Sequence, residues 1–308
     1  MRVPSAVPMV LVAALIAATL TACGGSSGDS ADPAPAPATA SSTASSSAPA
    51  TSASASASAT PSAASALTTD QRRRADQLIS VFENSTPDIQ YAYAENIGDG
   101  RGVTAGRAGF TTNDGDALKV IQAYAARVPQ NKLAHYIPEL QRLADAGSSD
   151  TSGLPEASYV ADWKAAGTDP AFQQVQDDQV NQRYFAPAAS AADQLGLTTA
   201  LARAELYDAS IQHGNGTEYD ALPSLIARTT AKVGAPGKAG RATEQAWLNA
   251  FFDVRIDDLR HPANAATQNE WSQSVDRVEC LRRIAASGNY QLSGPLKVTA
   301  FGTDYTLK

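Results

Sequence analysis

Residues 83–104 read ENSTPDIQYAYAENIGDGRGVT, and this stretch decides how the rest of the chain is interpreted. It begins where an apolar helical stripe ends, passes through alternating aromatic residues and reaches a glycine-rich turn. Glu83 lies at the predicted helix end, whereas Asp99 lies in the turn between Gly98 and Gly100. The stretch predicts a helix, a short β patch and a turn, with two carboxylates in contrasting surroundings.

The helix before this stretch has a defined start and an apolar face. Thr68 is followed three positions later by Gln71, which is the spacing of a capping box. Apolar residues then recur at helical spacing, at Ala75, Leu78, Ile79 and Phe82. The segment Asn84-Ser85-Thr86-Pro87 is predicted to end the helix.

Two short strands and a largely helical domain are predicted to follow. Ile89, Tyr91 and Tyr93 alternate with smaller or polar residues, as in a half-buried strand, and residues 103–110 are predicted to return as a second strand. Asp169-Pro170 predicts a helix start. Further helical patterns cover residues 118–125, 137–143, 201–211, 247–254 and 271–284. The predicted fold class is α+β and mainly α-helical, a two-lobed lysozyme-like fold with a small β patch beside an active-site cleft.

The N-terminal residues have the pattern of an export signal and a tether. Arg2 precedes an apolar run over residues 7–20, and Leu20-Thr21-Ala22-Cys23 has the form of a bacterial lipobox, in which the cysteine is lipidated. The alternative is a plain secretory signal that contains a cysteine. Residues 1–22 are thus predicted to be removed and residues 23–66, rich in Ser, Ala, Thr and Pro, to be a disordered tether. Residues 67–308 would form an extracellular domain that meets the membrane only through a lipid at Cys23.

The acidic composition of the domain favours some classes of partner over others. The chain has a formal net charge of −7, and only Arg2, Asp29 and Asp32 are charged before residue 67, so the domain itself is acidic. An acidic surface disfavours nucleic acid and suits a polycationic partner. Cys280 is the one cysteine of the domain, so no internal disulfide is expected, and the 3 histidines lack metal-ligand spacing. We expect a monomer with no metal and no cofactor.

The two carboxylates of the opening stretch have the properties of an acid and a base. The helix dipole and apolar neighbours should raise the pKa of Glu83, as a general acid requires. Asp99 projects from flexible glycine-rich backbone, where it could act as a base. Such a pair can hydrolyse a glycosidic bond. Alternatively, Glu83 is a surface residue at a fraying helix end and Asp99 belongs to a common Asp-Gly turn.

Three neighbouring side chains also have two interpretations each. Arg101 could fix a carboxylate or be solvated, and Thr104 could hold a water molecule or simply fill a strand position. Asp116 precedes the apolar positions of the next helix, so it is predicted to cap that helix, with ligand contact as an additional role.

A buried ion network is predicted further along the chain. Asp208 lies on the apolar stripe of Leu201 and Ile211, so it should point inward, where a carboxylate needs a partner. Arg255 and Arg277 lie on or beside apolar faces of other helices and would supply that partner. The alternative is three unrelated solvated side chains.

These residues together resemble the chitosanases of glycoside hydrolase family 46 that actinobacteria secrete. The specific part of the resemblance is Glu83-Asn84-Ser85, Tyr91, Tyr93 and residues 97–104. A weaker likeness continues in order through nearly all of the domain, at Phe172-Gln173-Gln174, Tyr184-Phe185, Tyr207-Asp208, His213-Gly214, Leu248-Asn249, Arg255, Gly288-Asn289 and Pro295-Leu296-Lys297.

The resemblance implies endo-type, inverting hydrolysis of chitosan and glucosamine oligosaccharides. It implies Glu83 as the general acid, Asp99 as the general base and Thr104 as the residue that positions the water. The residues it implies for substrate binding are Arg101, Asp116 and Tyr93. The ion network that it implies consists of Asp208, Arg255 and Arg277.

The chain also departs from the family pattern. The stretch between Glu83 and Tyr91 is shorter than usual and lacks an expected tryptophan. Residues 256–274, where the family places acidic substrate contacts, match poorly. The acidic candidates there are Asp257, Asp258 and Glu270.

Two other functions remain as alternatives. A lysozyme-like enzyme acting on peptidoglycan would use a similar cleft, although cell-wall polymers are often anionic and this domain is acidic. A non-catalytic glycan-binding lipoprotein would keep the fold without turnover. The presence of Glu83, Asp99 and Thr104 argues against the second alternative.

Overall fold

The computed structural model of the protein describes residues 66–98, 100–236 and 242–308. The proposed signal, Cys23, the tether and Asp99 lie outside the described residues. Within the described ranges, every helix is too short or too polar to cross a membrane.

Helices dominate the described part of the chain. The α-helices are α1 (Thr69–Asn84), α2 (Asp116–Arg127), α3 (Ile137–Ala146), α4 (Glu156–Ala166), α5 (Pro170–Val180), α6 (Ala186–Leu195), α7 (Ala200–His213), α8 (Leu222–Val233), α9 (Glu244–Arg260), α10 (Gln268–Gln273) and α11 (Val275–Ala286). The strands are β1 (Ala94–Asn96), β2 (Val103–Ala105), β3 (Phe110–Thr111), β4 (Leu296–Ala300) and β5 (Thr303–Leu307). A π-helical segment, Asn181–Phe185, joins α5 to α6.

The first helix forms as its capping box predicts. The Gln71 main-chain N–H donates to the Thr68 hydroxyl at 3.2 Å, and the Thr68 N–H donates to the Gln71 side chain at 2.9 Å. The predicted apolar stripe is buried. Ser85 ends the helix in the left-handed conformation, with φ of 54°. The helix therefore presents Glu83 in its last turn.

The β patch is an antiparallel sheet in the order β1-β2-β3, and its start differs from the prediction. Residues 89–93 are not a strand, because the Tyr91 N–H donates to Ile89 O in a turn. The Tyr91 carbonyl accepts from Trp163 Nε1 and Gln176 Nε2, both at 3.1 Å. These contacts occupy main-chain groups that a partner strand would need.

The second predicted strand is divided in two. Gly106 and Gly109 take φ values of 73° and 64° and turn the chain between β2 and β3. Thr104 on β2 pairs with Glu95 on one side and Thr111 on the other. It therefore lies on the central strand of the sheet.

Two helix predictions have different outcomes. Asp169 caps α5 as predicted, since its carboxylate accepts from Ala171 N at 2.8 Å. The helix predicted over 271–284 is interrupted at Ser274, whose hydroxyl donates to Trp271 O at 2.7 Å and accepts from Gln212 Nε2 at 2.6 Å. These bonds separate α10 from α11.

The elements form two groups around one hydrophobic core. Helices α2 and α4 pack against the three-stranded sheet, and α2 also contacts α3 and α5. In the other group, α1, α6, α8 and α11 pack against α7, and α9 packs against α8 and α11. The β4–β5 hairpin, which the sequence analysis missed, packs on α1 through both of its strands. The mainly helical α+β prediction is thus confirmed.

Candidate active site

Glu83 is a carboxyl that is mostly, but not completely, buried. Its side chain is 17% exposed. Its Oε1 atom lies 2.7 Å from Nη2 of Arg277, and the two groups form an ion pair whose geometry is not that of a hydrogen bond. Burial raises the pKa of the Glu83 carboxyl; Arg277 opposes that rise, Asp208 adds to it, and the net direction is upward. Glu83 therefore keeps its proton to a higher pH than an ordinary glutamate does.

Behind Glu83, Asp208 and two arginines form a buried ion network. Arg277 donates to Asp208 through Nε at 3.1 Å and Nη2 at 2.7 Å, and Arg255 Nη2 donates to Asp208 at 2.6 Å. Burial alone would raise the pKa of Asp208, but Arg277 and Arg255 outweigh it and lower that pKa. The structure brings the three predicted network residues together, and Glu83 joins them through Arg277.

Arg255 has three more buried partners that the residue-by-residue sequence analysis missed. Its Nη1 donates to Glu205 at 2.9 Å, its Nη2 to Gln212 at 2.6 Å and its Nε to His213 Nε2 at 3.2 Å. All three lie on α7, which is buried along nearly its whole length. The apolar stripe identified Asp208 but not these three residues, which are buried as well.

One described site residue, Arg101, lies between β1 and β2, and another, Thr104, lies on β2. Thr104 is 1% exposed, and among the described residues its Oγ1 has no hydrogen-bond partner. Arg101 is half-buried, and its carbonyl accepts from Asn113 N at 3.4 Å. Asp99 lies outside the described residues.

Asp116 is the first residue of α2, and the prediction that it caps this helix is wrong. Gly115 takes the cap position with φ of 73°, so the helix begins one residue earlier than the apolar pattern suggests. The Asp116 carboxylate instead forms an ion pair with Arg183 and lies 4.0 Å from Lys119 Nζ. Arg183 comes from the π-helical segment and was not identified from the sequence.

The two tyrosines before β1 have different surroundings. The Tyr91 hydroxyl donates to Asp177 at 2.8 Å. The half-buried Tyr93 donates to Glu95 on β1 at 3.3 Å. Tyr91 is therefore tied to α5, whereas Tyr93 is tied to the sheet that carries Thr104.

The three acidic candidates in residues 256–274 differ in burial and in their partners. Asp258 is buried and pairs with Arg228, and burial raises the pKa of its carboxyl to about 7. Asp257 is exposed, with its Oδ1 3.1 Å from His261 Nδ1, and Glu270 is half-buried on α10. Burial withdraws Asp258 from ligands, which leaves Asp257 and Glu270 as the accessible acidic candidates.

Neither a metal nor a reactive thiol is indicated in the described part of the chain. There, no group of three or more His, Cys, Asp or Glu side chains could hold a metal ion. Cys280 is buried on α11, and burial raises the pKa of its thiol to about 12. It behaves as a small apolar residue.

Comparison with known proteins identifies the family. The model of glycosyl hydrolase family 46 matches residues 77–296. The chain belongs to this family. A chitosanase of Bacillus subtilis (strain 168) is 51% identical over 235 residues, which are 76% of this chain and 84% of that protein. A chitosanase of a Streptomyces species is 36% identical over 237 residues, or 76% of this chain and 80% of that protein.

Solved structures of family 46 proteins share the fold. The crystal structure of native chitosanase from Bacillus subtilis MY002 has a TM-score of 0.71 and 49% identity, covering 79% of this chain and 100% of that one. The complex of a Gynuella sunshinyii family 46 chitosanase with chitotetraose has a TM-score of 0.70 and 46% identity, covering 79% and 99% of the two chains.

Proposed function

We propose that this family 46 protein cleaves internal β-1,4 glycosidic bonds of chitosan with inversion at the anomeric carbon. Glu83 protonates the leaving oxygen, and Asp99 activates the attacking water. The observation that carries the proposal is the environment of Glu83, a partly exposed carboxyl with a raised pKa and a buried arginine 2.7 Å away. The relatives of this chain are chitosanases, which supports the choice of substrate.

A general acid must hold its proton before the bond breaks and release it as the bond breaks. Burial raises the pKa of the Glu83 carboxyl and so favours the protonated form that a general acid needs. After transfer, Arg277 stabilises the carboxylate that remains. Because Asp208 already pairs with Arg277, the arginine lowers the pKa of Glu83 less than a free guanidinium would.

An inverting enzyme also needs a water on the opposite face of the sugar, between carboxyl groups about 6.5–9.5 Å apart. We assign Thr104 to hold this water, because its Oγ1 is buried and lacks a partner among the described residues. A bound water would supply that missing partner. Asp99, five positions before Thr104 in the sequence, would accept the proton of the water.

The proposed substrate is a polycation, since its glucosamine units carry ammonium groups. A chain with a net charge of −7 would attract it. We propose Arg101, Asp116 and Tyr93 as substrate contacts. The side chain of Asp116 is 14% exposed, and Arg183 holds it in place. The exposed part of its carboxylate would meet an ammonium group. A chitosanase of Bacillus subtilis MY002 has been crystallised with 6 GlcN, which supports this ligand class.

The proposal is tested by incubating the purified protein with chitosan and, separately, with purified cell wall. We expect a rapid fall in the viscosity of chitosan and new reducing ends, with no release from cell wall. Cleavage of cell wall alone would replace the proposal with a peptidoglycan hydrolase. Binding of chitosan oligomers without new reducing ends would replace it with a glycan-binding protein.

We further propose that the protein acts as a monomer on the outer face of the cell membrane, held there by a lipid on Cys23. The support for the lipid anchor is the sequence pattern of residues 1–66. Labelling of cells with a radioactive fatty acid should mark the wild type and not Cys23→Ala. Release of unlabelled wild type into the medium would indicate a plain secretory signal instead.

A further inference from the structure

The ion network behind Glu83 continues deeper into the protein than its two arginines. A series of contacts, here named the buried ion chain, runs through Glu83, Arg277, Asp208, Arg255, His213 and Asp258. Apart from Glu83, every member is at most 6% exposed. Solvent therefore cannot readily replace any of these contacts.

The contact between Arg255 and His213 fixes the protonation of the imidazole. Arg255 Nε lies 3.2 Å from His213 Nε2. A guanidinium nitrogen only donates, because arginine stays protonated in proteins, so Nε2 must be the unprotonated acceptor. The ring is then neutral and carries its one proton on Nδ1. A proton on Nε2 would set two N–H groups against each other.

The other ring nitrogen faces Asp258. His213 Nδ1 lies 3.5 Å from Asp258 Oδ2, at the outer limit of a hydrogen bond, and neither atom has an aligned partner among the described residues. The Oδ2 atom can accept from Nδ1–H whether the carboxyl is ionised or carries a proton on its other oxygen. Arg228 of α8 holds that other oxygen. Arg255 therefore faces the unprotonated nitrogen of the ring, and the carboxyl of Asp258 faces the protonated one.

The surroundings of the ring favour the same neutral form. Burial lowers the pKa of His213 well below its ordinary value, Arg255, Arg277 and Arg228 lower it further, and the main chain of Asp220 opposes them. The Trp271 ring of α10 packs edge-on against the imidazole, with centroids 5.1 Å apart. Among acidic side chains, Asp258 faces the ring, Asp208 and Glu205 pair with Arg255, and Asp220 interacts with Asp258.

We propose that His213 is a positioning residue for the candidate acid. As a neutral imidazole whose Nδ1–H faces Asp258, it accepts from Arg255 Nε and so fixes the guanidinium. Arg255 in turn holds Asp208, and Asp208 holds the arginine that contacts Glu83. The effect on catalysis rests on the proposed function, whereas the proton arrangement of the ring depends on no substrate.

The first test is the tautomer itself. Long-range ¹H–¹⁵N spectra of the labelled full protein report which imidazole nitrogen carries the proton, and the 3 histidines can be assigned with single His→Gln variants. We expect His213 to show a neutral Nδ1–H pattern that stays constant from about pH 5 to pH 8. The exposed His135 and His261 provide reference spectra. An Nε2–H pattern, or a pattern that changes with pH, would overturn the proposal.

The second test compares two variants of similar polarity. Glutamine places its amide oxygen near the position of Nε2 and can still accept from Arg255, whereas asparagine reaches only to Nδ1. We expect His213→Asn to lower kcat about tenfold or more with little change in KM. The pH at which kcat falls on the alkaline side should also move upward. A misplaced Arg255 would neutralise less of the charge of Asp208, so Asp208 would raise the pKa of Glu83 further. His213→Gln should keep most of kcat and the wild-type limb.

A purely structural role would give a different result. Both variants would then lose thermal stability and activity together, and neither pH limb would move, which would contradict the proposal. If His213→Asn does not fold, the tautomer measurement on the wild type still decides. If the wild type cleaves no chitosan, the proposed function fails while the tautomer result stands independently.

Discussion

The Nη2 atom of Arg277 lies 2.7 Å from Oε1 of Glu83, so a buried cation on α11 is the direct neighbour of the candidate acid on α1. The same nitrogen lies 2.7 Å from Asp208 Oδ1. Asp208 supplies the counter-charge that the cation needs, so Glu83 can remain protonated without leaving the guanidinium unpaired. After proton transfer, the ionised Glu83 still has a cationic partner. The position of Arg277 thus suits both states of an acid catalyst.

Replacing Glu83 by glutamine should remove the acid and keep the fold. The amide has nearly the same size but cannot protonate a leaving oxygen, so we expect kcat on chitosan to fall about 100- to 10,000-fold. Release of reducing ends measures the rate, and thermal unfolding checks the fold. Glu279→Gln, on the accessible face of α11, is the matched control and should keep the wild-type rate. Full activity of Glu83→Gln would exclude this residue as the acid.

Replacing Arg277 should destabilise the protein far more than replacing a surface arginine on the same helix. Arg277→Met leaves Asp208 buried with one cation fewer, which should cost about 3–5 kcal/mol in the free energy of unfolding. Arg282 is one-third exposed and pairs with Asp253 at 2.9 Å, so Arg282→Met should cost about 1 kcal/mol or less. Urea unfolding measures both values. Equal losses would contradict the buried network.

Asp258 should make stability depend on pH. The pKa of its carboxyl is about 7 in the folded protein, against an ordinary value of 3.8, so the folded state holds a proton that the unfolded state has lost. This contribution to stability is complete below pH 3.8 and is lost as pH rises through 7. Relative to Asp258→Asn, the wild type should lose on the order of 1.4 kcal/mol per pH unit across that window.

The measurement is the free energy of unfolding of both proteins at several pH values. Outside the window the difference between them should be constant, because the carboxyl then has the same protonation in both states of the wild type. A difference that is constant from acid to neutral pH would show that the pKa of the Asp258 carboxyl is not raised.

Asp116 should contribute to substrate binding more than to the chemical step. Asp116→Asn removes the charge proposed to meet a glucosamine ammonium group, so we expect about tenfold weaker binding of a glucosamine oligomer. Calorimetry in a Glu83→Gln background avoids cleavage, and the loss should shrink at high salt. Asp145→Asn, on the exposed face of α3, is the control. Equal affinities for the two variants would remove Asp116 from the substrate site.

Elements with local signals could be predicted from the sequence. The capping box of Thr68 and the cap of Asp169 involve residues a few positions apart, and both form as expected. The start of the β patch could not be predicted, because the Tyr91 carbonyl is bonded by Trp163, 72 positions along the chain. The β4–β5 hairpin did carry a signal, since apolar and polar residues alternate along Leu296–Ala300, and the buried and exposed side chains alternate in the same way.

The sequence could likewise identify some residues of the candidate site and not others. Asp208 could be identified because a charged residue stood on an apolar stripe. Glu205 and His213 could not, since α7 is buried on nearly every side and its pattern has no polar face to compare. Arg183 meets Asp116 only through the folded arrangement of the π-helical segment and α2.

The central claim is inversion by two carboxyl groups, and the anomer released first from chitosan tests it most directly. Proton NMR of the reducing ends, recorded in the first minutes before mutarotation equilibrates them, distinguishes the two anomers. We predict that the α-anomer appears first, and that Glu83→Gln and Asp99→Asn release little of either anomer. Initial release of the β-anomer from this β-linked polymer would contradict the mechanism.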